Sequence, residues 1–252
     1  MKLLTLARDL RRRKARERNG LLVAEGVRTV EELLRSPLAV RGLLTAPHLA
    51  HAPRGQALRT AAAARGIPLA EVTDAEFASA AETESPQGVL AIAEIPALQL
   101  EALRVPPAAR ILVLDALQDP GNVGTILRTA AALGAAATLA LPGTVDLWNA
   151  KVVRSAMGAH FHHQTCSCTV EALDAFLGER GIPLWGADAR GAPIGAAPRS
   201  PQVALAVGNE GNGLSPAVRE RAERLVSLPI ASDVESLNVA VATGILLYEL
   251  CR

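Results

Sequence analysis

The chain has 252 residues, of which 50% are hydrophobic and 20% are charged, and its formal net charge is +1 at pH 7. This length suffices for one large or two modest domains, because a domain typically takes about 100–200 residues. The balanced charge excludes a polyelectrolyte, so any surface that binds nucleic acid must arise from uneven placement of charge.

Cysteine usage argues against both a disulfide framework and a metal centre. The three cysteines are Cys166, Cys168 and Cys251, and the first two lie too close for ordinary bridging. They follow His162 and His163, but their spacing is not that of a zinc-binding pair. We therefore expect no metal and interpret this stretch as the end of a half-buried strand.

No apolar run in the sequence approaches the roughly 20 residues that a bilayer-spanning helix needs. The N-terminal residues lead straight into charged residues, unlike a signal peptide, and Asp9, Glu17 and Glu25 are atypical of a transit peptide. We expect a cytoplasmic protein that does not bind membranes.

A run of basic residues stands near the start of the chain. Its cations are Arg8, Arg11, Arg12, Arg13, Lys14, Arg16 and Arg18. One interpretation is the solvated face of a helix. The other is contact with nucleic-acid phosphates, since clustered cations release counterions when they bind there.

Short apolar segments then alternate with helical patterns. We predict strands over residues 21–24, 40–44, 67–69 and 88–93, and helices over 27–34, 56–65 and 73–80. This alternation predicts a small α/β domain over residues 1–95. Residues 96–109 contain three prolines and no clear period, so we interpret them as a linker.

Residues 110–252 show the same alternation on a larger scale. We predict strands over residues 111–114, 137–141, 161–165, 182–185, 203–207 and 225–228, and helices over 123–133, 148–157, 170–180 and 236–250. The first strand is a continuous apolar run, as expected for a strand buried on both faces. The pattern predicts an α/β domain with a parallel sheet, whose ligands bind at the carboxyl ends of the strands.

The first polar motif is Asn122-x-Gly124-x3-Arg128, at the start of a predicted helix. A cation near the positive end of a helix dipole is unfavourable unless it serves an anion, such as a phosphate or a developing alkoxide. Asp119 and Asn122 beside it favour a site, whereas a solvent-facing arginine is the alternative. The motif is not Gly-x-Gly-x-x-Gly, so a dinucleotide fingerprint is absent.

The second motif, residues 208–215, reads Gly-Asn-Glu-Gly-Asn-Gly-Leu-Ser and follows a predicted strand. Glycines there let the backbone approach a ligand closely. A turn capped by Ser215 explains most of the loop but not Glu210. Its carboxylate needs hydrogen bonds or a cation, and Arg128 is a candidate partner.

The third motif is Ser236-Leu237-Asn238, which opens a long apolar segment. We predict Ser236 as the N-cap of the last helix. Asn238 lies in an otherwise apolar first turn, where a buried amide needs hydrogen-bond partners.

In this order, the three motifs resemble those of the SpoU/TrmH-type RNA 2′-O-ribose methyltransferases of the SPOUT superfamily, over about residues 111–250. The basic first helix, the Val-Ala-Glu-Gly turn and the Ser-Pro-Gln-Gly-Val-Leu-Ala stretch resemble the substrate-binding domain that often precedes them. The resemblance implies S-adenosylmethionine as methyl donor and an RNA ribose 2′-hydroxyl as acceptor. It also implies a C-terminal trefoil knot and a homodimer.

The resemblance also implies roles for residues of this sequence. The catalytic set comprises Asn122, Arg128, Glu210, Ser236 and Asn238. The set that binds the methyl donor comprises Gly208, Leu228, Ile230 and Leu237. The family proposal makes Arg128 a general base, but a free guanidinium has a pKa above about 12. We expect Arg128 instead to hold a phosphate and to stabilise the forming alkoxide.

Other functions stay open at this point. An RNA-binding protein without catalysis is one, but all three motifs are intact. Methylation of a base, or of a tRNA ribose, is another. Members of the tRNA type usually lack a preceding domain like the one here, so the resemblance favours ribosomal RNA.

Overall fold

The computed structural model describes residues 2–231, 233–234 and 236–251. The chain divides into two units. The first consists of Met1–Ala97 and Trp148–His162, and the second of Leu98–Leu147 and His163–Arg252. The domain bounds predicted from sequence, 1–95, 96–109 and 110–252, differ from this division in two places. Most of the predicted linker belongs to the second unit, and residues 148–162 belong to the first.

The N-terminal part of the first unit alternates helices and strands. They are α1 (Leu3–Leu10), α2 (Arg13–Asn19), β1 (Leu21–Glu25), α3 (Val27–Arg35), β2 (Val40–Thr45), α4 (Pro53–Ala64), β3 (Leu69–Glu71), α5 (Asp74–Ala80) and β4 (Val89–Glu94). The strands form one sheet in the order β1-β4-β2-β3. β2 and β3 are parallel, and the other neighbours are antiparallel.

Apolar residues of these helices and strands form the core of the first unit. Leu10, Leu44, Phe77, Leu90 and Ile92 are buried together there. Burial of such side chains contributes about 1.5–3 kcal/mol each.

The rest of the chain contains a larger sheet. The elements of this part, in chain order, are β5 (Arg110–Asp115), α6 (Pro120–Ala132), β6 (Ala137–Ala140), α7 (Ala150–Ser155), β7 (Thr165–Ser167), α8 (Val170–Arg180), β8 (Leu184–Pro193), β9 (Val203–Gly208), α9 (Pro216–Arg221), β10 (Arg224–Ser227) and α10 (Val239–Cys251). Of these, α7 belongs to the first unit and the others belong to the second. The six strands lie in the order β10-β8-β9-β5-β6-β7, and every neighbouring pair is parallel. The predicted α/β class with a parallel sheet is confirmed. The trefoil knot stays a prediction.

Three predicted strands differ from the structure. The strand predicted over residues 67–69 begins only at Leu69 and ends at Glu71. The strand predicted over residues 161–165 is wrong, because Ala159–Phe161 is a 3-10 helix and β7 begins only at Thr165. β8 extends eight residues past the predicted end at Trp185, as far as Pro193. The extension pairs with β10 after a register shift, so contact with a neighbouring strand holds a segment that has no apolar pattern.

The predicted linker packs on the second unit. Leu100 and Leu103 are buried against Ile111 and its neighbours. The Gln164 side chain accepts a hydrogen bond from the Arg104 backbone N–H and donates one to the Arg104 carbonyl, both at 3.0 Å. Apolar burial and these bonds fix the segment, despite its prolines.

Candidate methyl-transfer site

A cavity of about 530 Å³ lies at the carboxyl ends of β9 and β10, in the second unit. In parallel sheets this edge is where ligands bind, because the strand ends leave backbone groups and loops facing one crevice. The cavity brings together eight of the nine residues predicted for catalysis and donor binding. They are Asn122, Gly208, Glu210, Leu228, Ile230, Ser236, Leu237 and Asn238.

The loop after β9 is closed by its own hydrogen bonds. The backbone N–H groups of Asn209 and Gly213 each donate to the other residue's carbonyl, at 2.9 Å. Asn209 Oδ1 accepts from the N–H groups of Gly211 and Asn212, and its Nδ2 donates to the Ala116 carbonyl at 2.9 Å. A side chain on Gly208 would overlap the Gly213 backbone. Glycine is therefore required at 208 by the fold of the loop, in addition to any approach by a ligand.

A chain of hydrogen bonds links three of the predicted catalytic residues. Asn238 Nδ2 donates to Asn122 Oδ1 at 3.0 Å, and Asn122 Nδ2 donates to Glu210 Oε1 at 3.2 Å. Asn238 Oδ1 accepts from the backbone N–H groups of Ala240 and Val241, so its amide can only face Asn122 with the donor end. At the other end an ionised carboxylate can only accept. Both ends therefore fix the direction of the chain.

Glu210 is held as a carboxylate. Its partial burial opposes ionisation, but hydrogen bonds from its own backbone, from Asn122 Nδ2 and from the N–H groups of Gln118 and Asp119 outweigh burial and lower its pKa. The last two N–H groups lie 3.4 and 3.3 Å from its carboxylate oxygens. An anion thus stands at the end of the Asn238–Asn122 chain, and amide N–H groups rather than a cation stabilise it there.

The cap of α10 differs from the prediction. The helix begins at Val239, and the side chain that accepts from its first N–H groups is that of Asn238, so the assignment of Ser236 as N-cap is wrong. Asn238 serves equally well because its short side chain reaches the same N–H groups. Ser236 lines the cavity instead.

The start of α6 also differs from the prediction. Asp119 is its N-cap, accepting from the Asn122 N–H at 2.7 Å, and Pro120 is its first residue. The helix therefore starts three residues before the predicted Val123. Proline fits this position because a first-turn N–H has no intrahelical partner anyway.

Arg128 does not join the other predicted catalytic residues. It is exposed, it does not line the cavity, and within the described residues it makes no hydrogen bond or ion pair. Its predicted pairing with Glu210 is wrong. Arg128 also lies in the third turn of α6, about 12 Å along the axis from Pro120, so it is too far from the helix N-terminus for the predicted effect of the dipole.

The basic run divides into one buried and several exposed residues. Arg16 is only 3% exposed and donates from Nη1 to the carbonyls of Leu10 and Arg11, so its assignment to RNA contact is wrong. These bonds satisfy the end of α1. The exposed members largely have partners: Arg12 and Arg18 pair with Asp9, and Arg13 with Glu17. RNA contact by Arg8, Arg11, Arg12, Arg13, Lys14 and Arg18 stays a prediction.

Some cavity residues were not predicted. Asp188 lines the cavity from β8, where it accepts from the Arg190 N–H at 2.8 Å and pairs with Arg219. Burial raises the pKa of Asp188, but the hydrogen bonds and the charges of Arg219 and Arg190 have the larger effect. The pKa of Asp188 therefore lies below its usual range. Thr243 and Leu246 of α10 also line the cavity. Asp188 follows closely on the predicted strand 182–185, so the rule that ligands bind at strand ends could have found it.

Neither a metal centre nor a membrane span occurs in the part of the chain that the structure describes. Across residues 2–231, 233–234 and 236–251, no three His, Cys, Asp or Glu side chains converge to hold a metal ion. In the same residues, no helix has the length and apolar character that a membrane span requires.

Comparison with known proteins identifies both parts of the chain. A family model described as SpoU rRNA Methylase family matches residues 109–248, and one described as MRM3-like substrate binding domain matches residues 5–91. The 23S rRNA (guanosine(2553)-2'-O)-methyltransferase RlmP of Bacillus subtilis is 35% identical over 244 residues, which cover 96% of this chain and 93% of that protein.

Solved structures agree with these matches. The SpoU methyltransferase AviRb from Streptomyces viridochromogenes, solved in complex with the cofactor AdoMet, has a TM-score of 0.88 at 27% identity and covers 100% of this chain and 97% of its own. The AdoMet-bound rRNA methyltransferase from Sinorhizobium meliloti has a TM-score of 0.87 at 27% identity. This match covers 99% of the present chain and 94% of the Sinorhizobium meliloti chain. The family model spans more than half of the chain, and the Bacillus subtilis relative is aligned over nearly all of it. The chain therefore belongs to the SpoU rRNA methylase family.

Proposed function

We propose that the protein transfers a methyl group from S-adenosylmethionine to a ribose 2′-hydroxyl of ribosomal RNA. The observation that carries the proposal is the hydrogen-bonded chain from Asn238 through Asn122 to Glu210 at the edge of the β9–β10 cavity. It places two oriented amides and a carboxylate beside a space that is large enough for a methyl donor. The names of the relatives supply the reaction.

The cavity suits S-adenosylmethionine in size and chemistry. Its volume of about 530 Å³ falls within the usual range of small-molecule sites, about 300–1,000 Å³. Ile230 and Leu237 border it, each 38% exposed, and a planar purine would cover such apolar side chains. Backbone groups at Gly208 and Leu228 stand at the strand ends and would bind the nucleoside by main-chain hydrogen bonds.

S-adenosylmethionine supplies an activated methyl group when it is bound. The residues of the chain then have to hold the ribose hydroxyl in line with that methyl, since positioning can supply a large part of the rate. We assign this task to Asn122, Glu210, Ser236 and Asn238. The hydrogen bonds among the two asparagines and the glutamate are made before substrate arrives, so little reorganisation is needed during the reaction.

Arg128 acts on the RNA in this proposal. Exposed and unpaired within the described residues, it is free to meet a phosphate or the oxygen that becomes negative as the hydroxyl loses its proton. A guanidinium is suited to this because its planar fork donates two parallel hydrogen bonds to one anion. We retain Arg128 in the catalytic set for this reason, although it stands apart from the cavity.

We further propose a homodimer that forms on α10. Val241, Ile245 and Tyr248 are exposed and recur at helical spacing along one side of this helix, while Leu246 and Leu247 are buried on the other. An apolar helix of this kind needs cover on more than one side. Light scattering at micromolar concentration should show a dimer, and a charged substitution, Ile245→Glu, should give a monomer.

Ribosomal RNA is preferred to tRNA because the chain matches a ribosomal RNA enzyme over nearly the whole length of both proteins. Guanosine is the nucleoside to examine first, because that relative is named for it. We propose that the protein acts on ribosomal RNA in the cytoplasm.

Transfer of labelled methyl tests the proposal. The protein is incubated with labelled S-adenosylmethionine and unmodified large-subunit ribosomal RNA, and the RNA is digested to nucleosides. We expect label in a 2′-O-methylated nucleoside. Label in a base would favour a base methyltransferase, and donor binding without any transfer to ribosomal RNA would favour tRNA as the substrate.

A further inference from the structure

A second cavity, of about 740 Å³, lies within the first unit and has a basic lining. Three arginines line it: Arg28 of α3, Arg54 of α4 and Arg154 of α7. Glu25 is the carboxylate among its lining residues. The segment that carries Arg154 lies between β6 and β7 in the chain but belongs to the first unit. Residues far apart in sequence therefore contribute to one positively charged space.

Two helices begin at this cavity, and neither has a side-chain cap from its own N-cap residue. At the start of α3 the Val27 N–H donates instead to Gln87 Oε1 at 2.8 Å. Gly26 precedes α3 and Ala52 precedes α4, and neither provides an oxygen for the first N–H groups of its helix. Both residues line the cavity, together with the first residues of each helix. Helix N-termini carry a partial positive charge, so they add to the positive potential of the three arginines.

The carboxylate of Glu25 offsets only part of the positive charge of the three arginines, and it takes its hydrogen bonds from other residues. It is 3% exposed, and it accepts hydrogen bonds from the Glu82 N–H at 2.9 Å and from the Thr83 hydroxyl. Arg154 Nη1 lies 4.0 Å from Glu25 Oε2, which is too far for a hydrogen bond. Arg154 Nη1 is buried and has no acceptor among the described residues. The pair thus orients Arg154 and leaves donor capacity unused.

The other two arginines, Arg28 and Arg54, differ in whether their guanidinium groups already have partners. Arg28 is exposed and makes no hydrogen bond or ion pair with the described residues. Arg54 donates to both carboxylate oxygens of Glu31, which fixes its guanidinium at the cavity wall. One arginine is therefore held, one is oriented by a buried carboxylate and one is available to a ligand.

We propose that this cavity binds the phosphodiester backbone of the RNA substrate, with a phosphate among Arg28, Arg54 and Arg154. The inference rests on the proposed function for its ligand and locates the anchoring site in the first unit. Guanidinium groups bind phosphate through charge-assisted and often bidentate hydrogen bonds, and helix N-termini bind the same group. The apolar lining residues Pro53 and Met157 can pack against a ribose.

The experiment measures binding of large-subunit ribosomal RNA to the full chain by filter binding at several salt concentrations. The test variants are Arg28→Gln and the double variant Arg28→Gln/Arg54→Gln. Arg41→Gln is the matched control, because Arg41 is a surface arginine of the same unit, paired with Glu94 and outside the cavity. Melting curves and calorimetric titration with S-adenosylmethionine accompany each variant.

We expect the double variant to bind RNA about 10-fold more weakly. The slope of log affinity against log salt concentration should become shallower by about 0.7 for each phosphate that the variant no longer neutralises. Donor affinity should stay unchanged, and Arg41→Gln should match the wild type. Equal weakening in the control and the test variants would mean a general charge effect and would overturn the site. Unchanged RNA affinity in both test variants would overturn it as well.

If the double variant melts early, Arg28→Gln alone decides the matter, because the Arg28 side chain makes no hydrogen bond or ion pair with the described residues. Failure of the proposed function has a different signature. A wild-type protein that binds neither S-adenosylmethionine nor ribosomal RNA would refute the function, whereas normal methyl transfer by the double variant at low RNA concentration would refute only the anchoring site.

Discussion

Asn238 caps α10 through its Oδ1, and its Nδ2 donates a hydrogen bond of 3.0 Å to Asn122 Oδ1. One amide therefore both caps a helix and orients a second amide toward Glu210. The N-terminus of α10 thereby sets the direction of the whole hydrogen-bonded chain. The two duties of Asn238 can be separated by mutation, because a carboxylate can cap a helix but cannot donate to Asn122.

We expect Asn238→Asp to keep stability and lose activity. Aspartate is as good an N-cap as asparagine, so the melting temperature should stay near that of the wild type. Its carboxylate cannot donate to Asn122 Oδ1, so methyl transfer should fall by roughly 10- to 100-fold. The matched variant Asn238→Ala should lose activity and also about 1 kcal/mol of stability. Full activity in Asn238→Asp would remove the oriented chain from the mechanism.

The loop after β9 provides a second pair of variants. In Gly208→Ala the added methyl overlaps the Gly213 backbone, so the loop has to move and binding of S-adenosylmethionine should fall at least about 10-fold. In Gly211→Ala the nearest atom is Asn209 Oδ1 at 3.7 Å, an ordinary contact, so binding should be retained. Calorimetry measures both. Equal affinities in the two variants would show that the loop does not shape the donor site.

Arg128 should be needed for transfer and dispensable for folding. Arg128→Ala removes an exposed side chain that makes no hydrogen bond or ion pair with the described residues, and it leaves a good helix former in place. Melting and donor binding should therefore be unchanged, while single-turnover transfer falls by roughly 100-fold or more. Arg128→Lys should restore little, since it lacks the planar fork. Transfer near the wild-type rate in Arg128→Ala would exclude Arg128 from catalysis.

His163 should make the second unit sensitive to acid. Burial lowers the pKa of His163 to about 4, against an ordinary value of 6.5, and its Nε2 lies 2.8 Å from the Thr138 hydroxyl. Above pH 6.5 the ring is neutral in both folded and unfolded chains. As the pH falls toward 4, the unfolded chain binds a proton that the folded chain excludes, so stability is lost over this window.

Urea unfolding at pH 7 and pH 5 measures this effect. The contribution of His163 should be a loss of about 2 kcal/mol between these two pH values, reaching about 3 kcal/mol near pH 4. The variant His163→Gln cannot take up the proton and should lose correspondingly less than the wild type. An identical pH dependence in both proteins would show that His163 does not stay neutral in the folded state.

Strands β5 and β9 of the larger sheet could be predicted because buried parallel strands are continuous apolar runs. Helix starts were harder. Asp119-Pro120 signals both a turn and an N-cap with its first helical residue, and only the structure shows that the second applies. The C-terminal half of β8 has no apolar pattern, since its pairing with β10 is a tertiary effect that local sequence does not encode.

The site shows the same division. Loop glycines and polar residues at strand ends pointed to Asn122, Glu210 and Asn238, and the structure joins them. The positions of charged residues in the sequence did not by themselves predict which arginines line a cavity. Arg16 and Arg28 cannot be distinguished in sequence, but the first is buried under the end of α1 and the second faces a cavity. Whether an arginine has a structural or a binding role depends on which acceptors the fold brings near it.

The proposed function is methylation of a ribose 2′-hydroxyl of ribosomal RNA. The most direct measurement maps 2′-O-methylation across ribosomal RNA from cells that have the protein, cells that lack it, and cells that carry Glu210→Gln in its place. We predict that one ribose methylation disappears with the protein, is not restored by Glu210→Gln, and returns with the wild-type chain. Identical ribosomal RNA methylation in all of these cells would refute the proposed function.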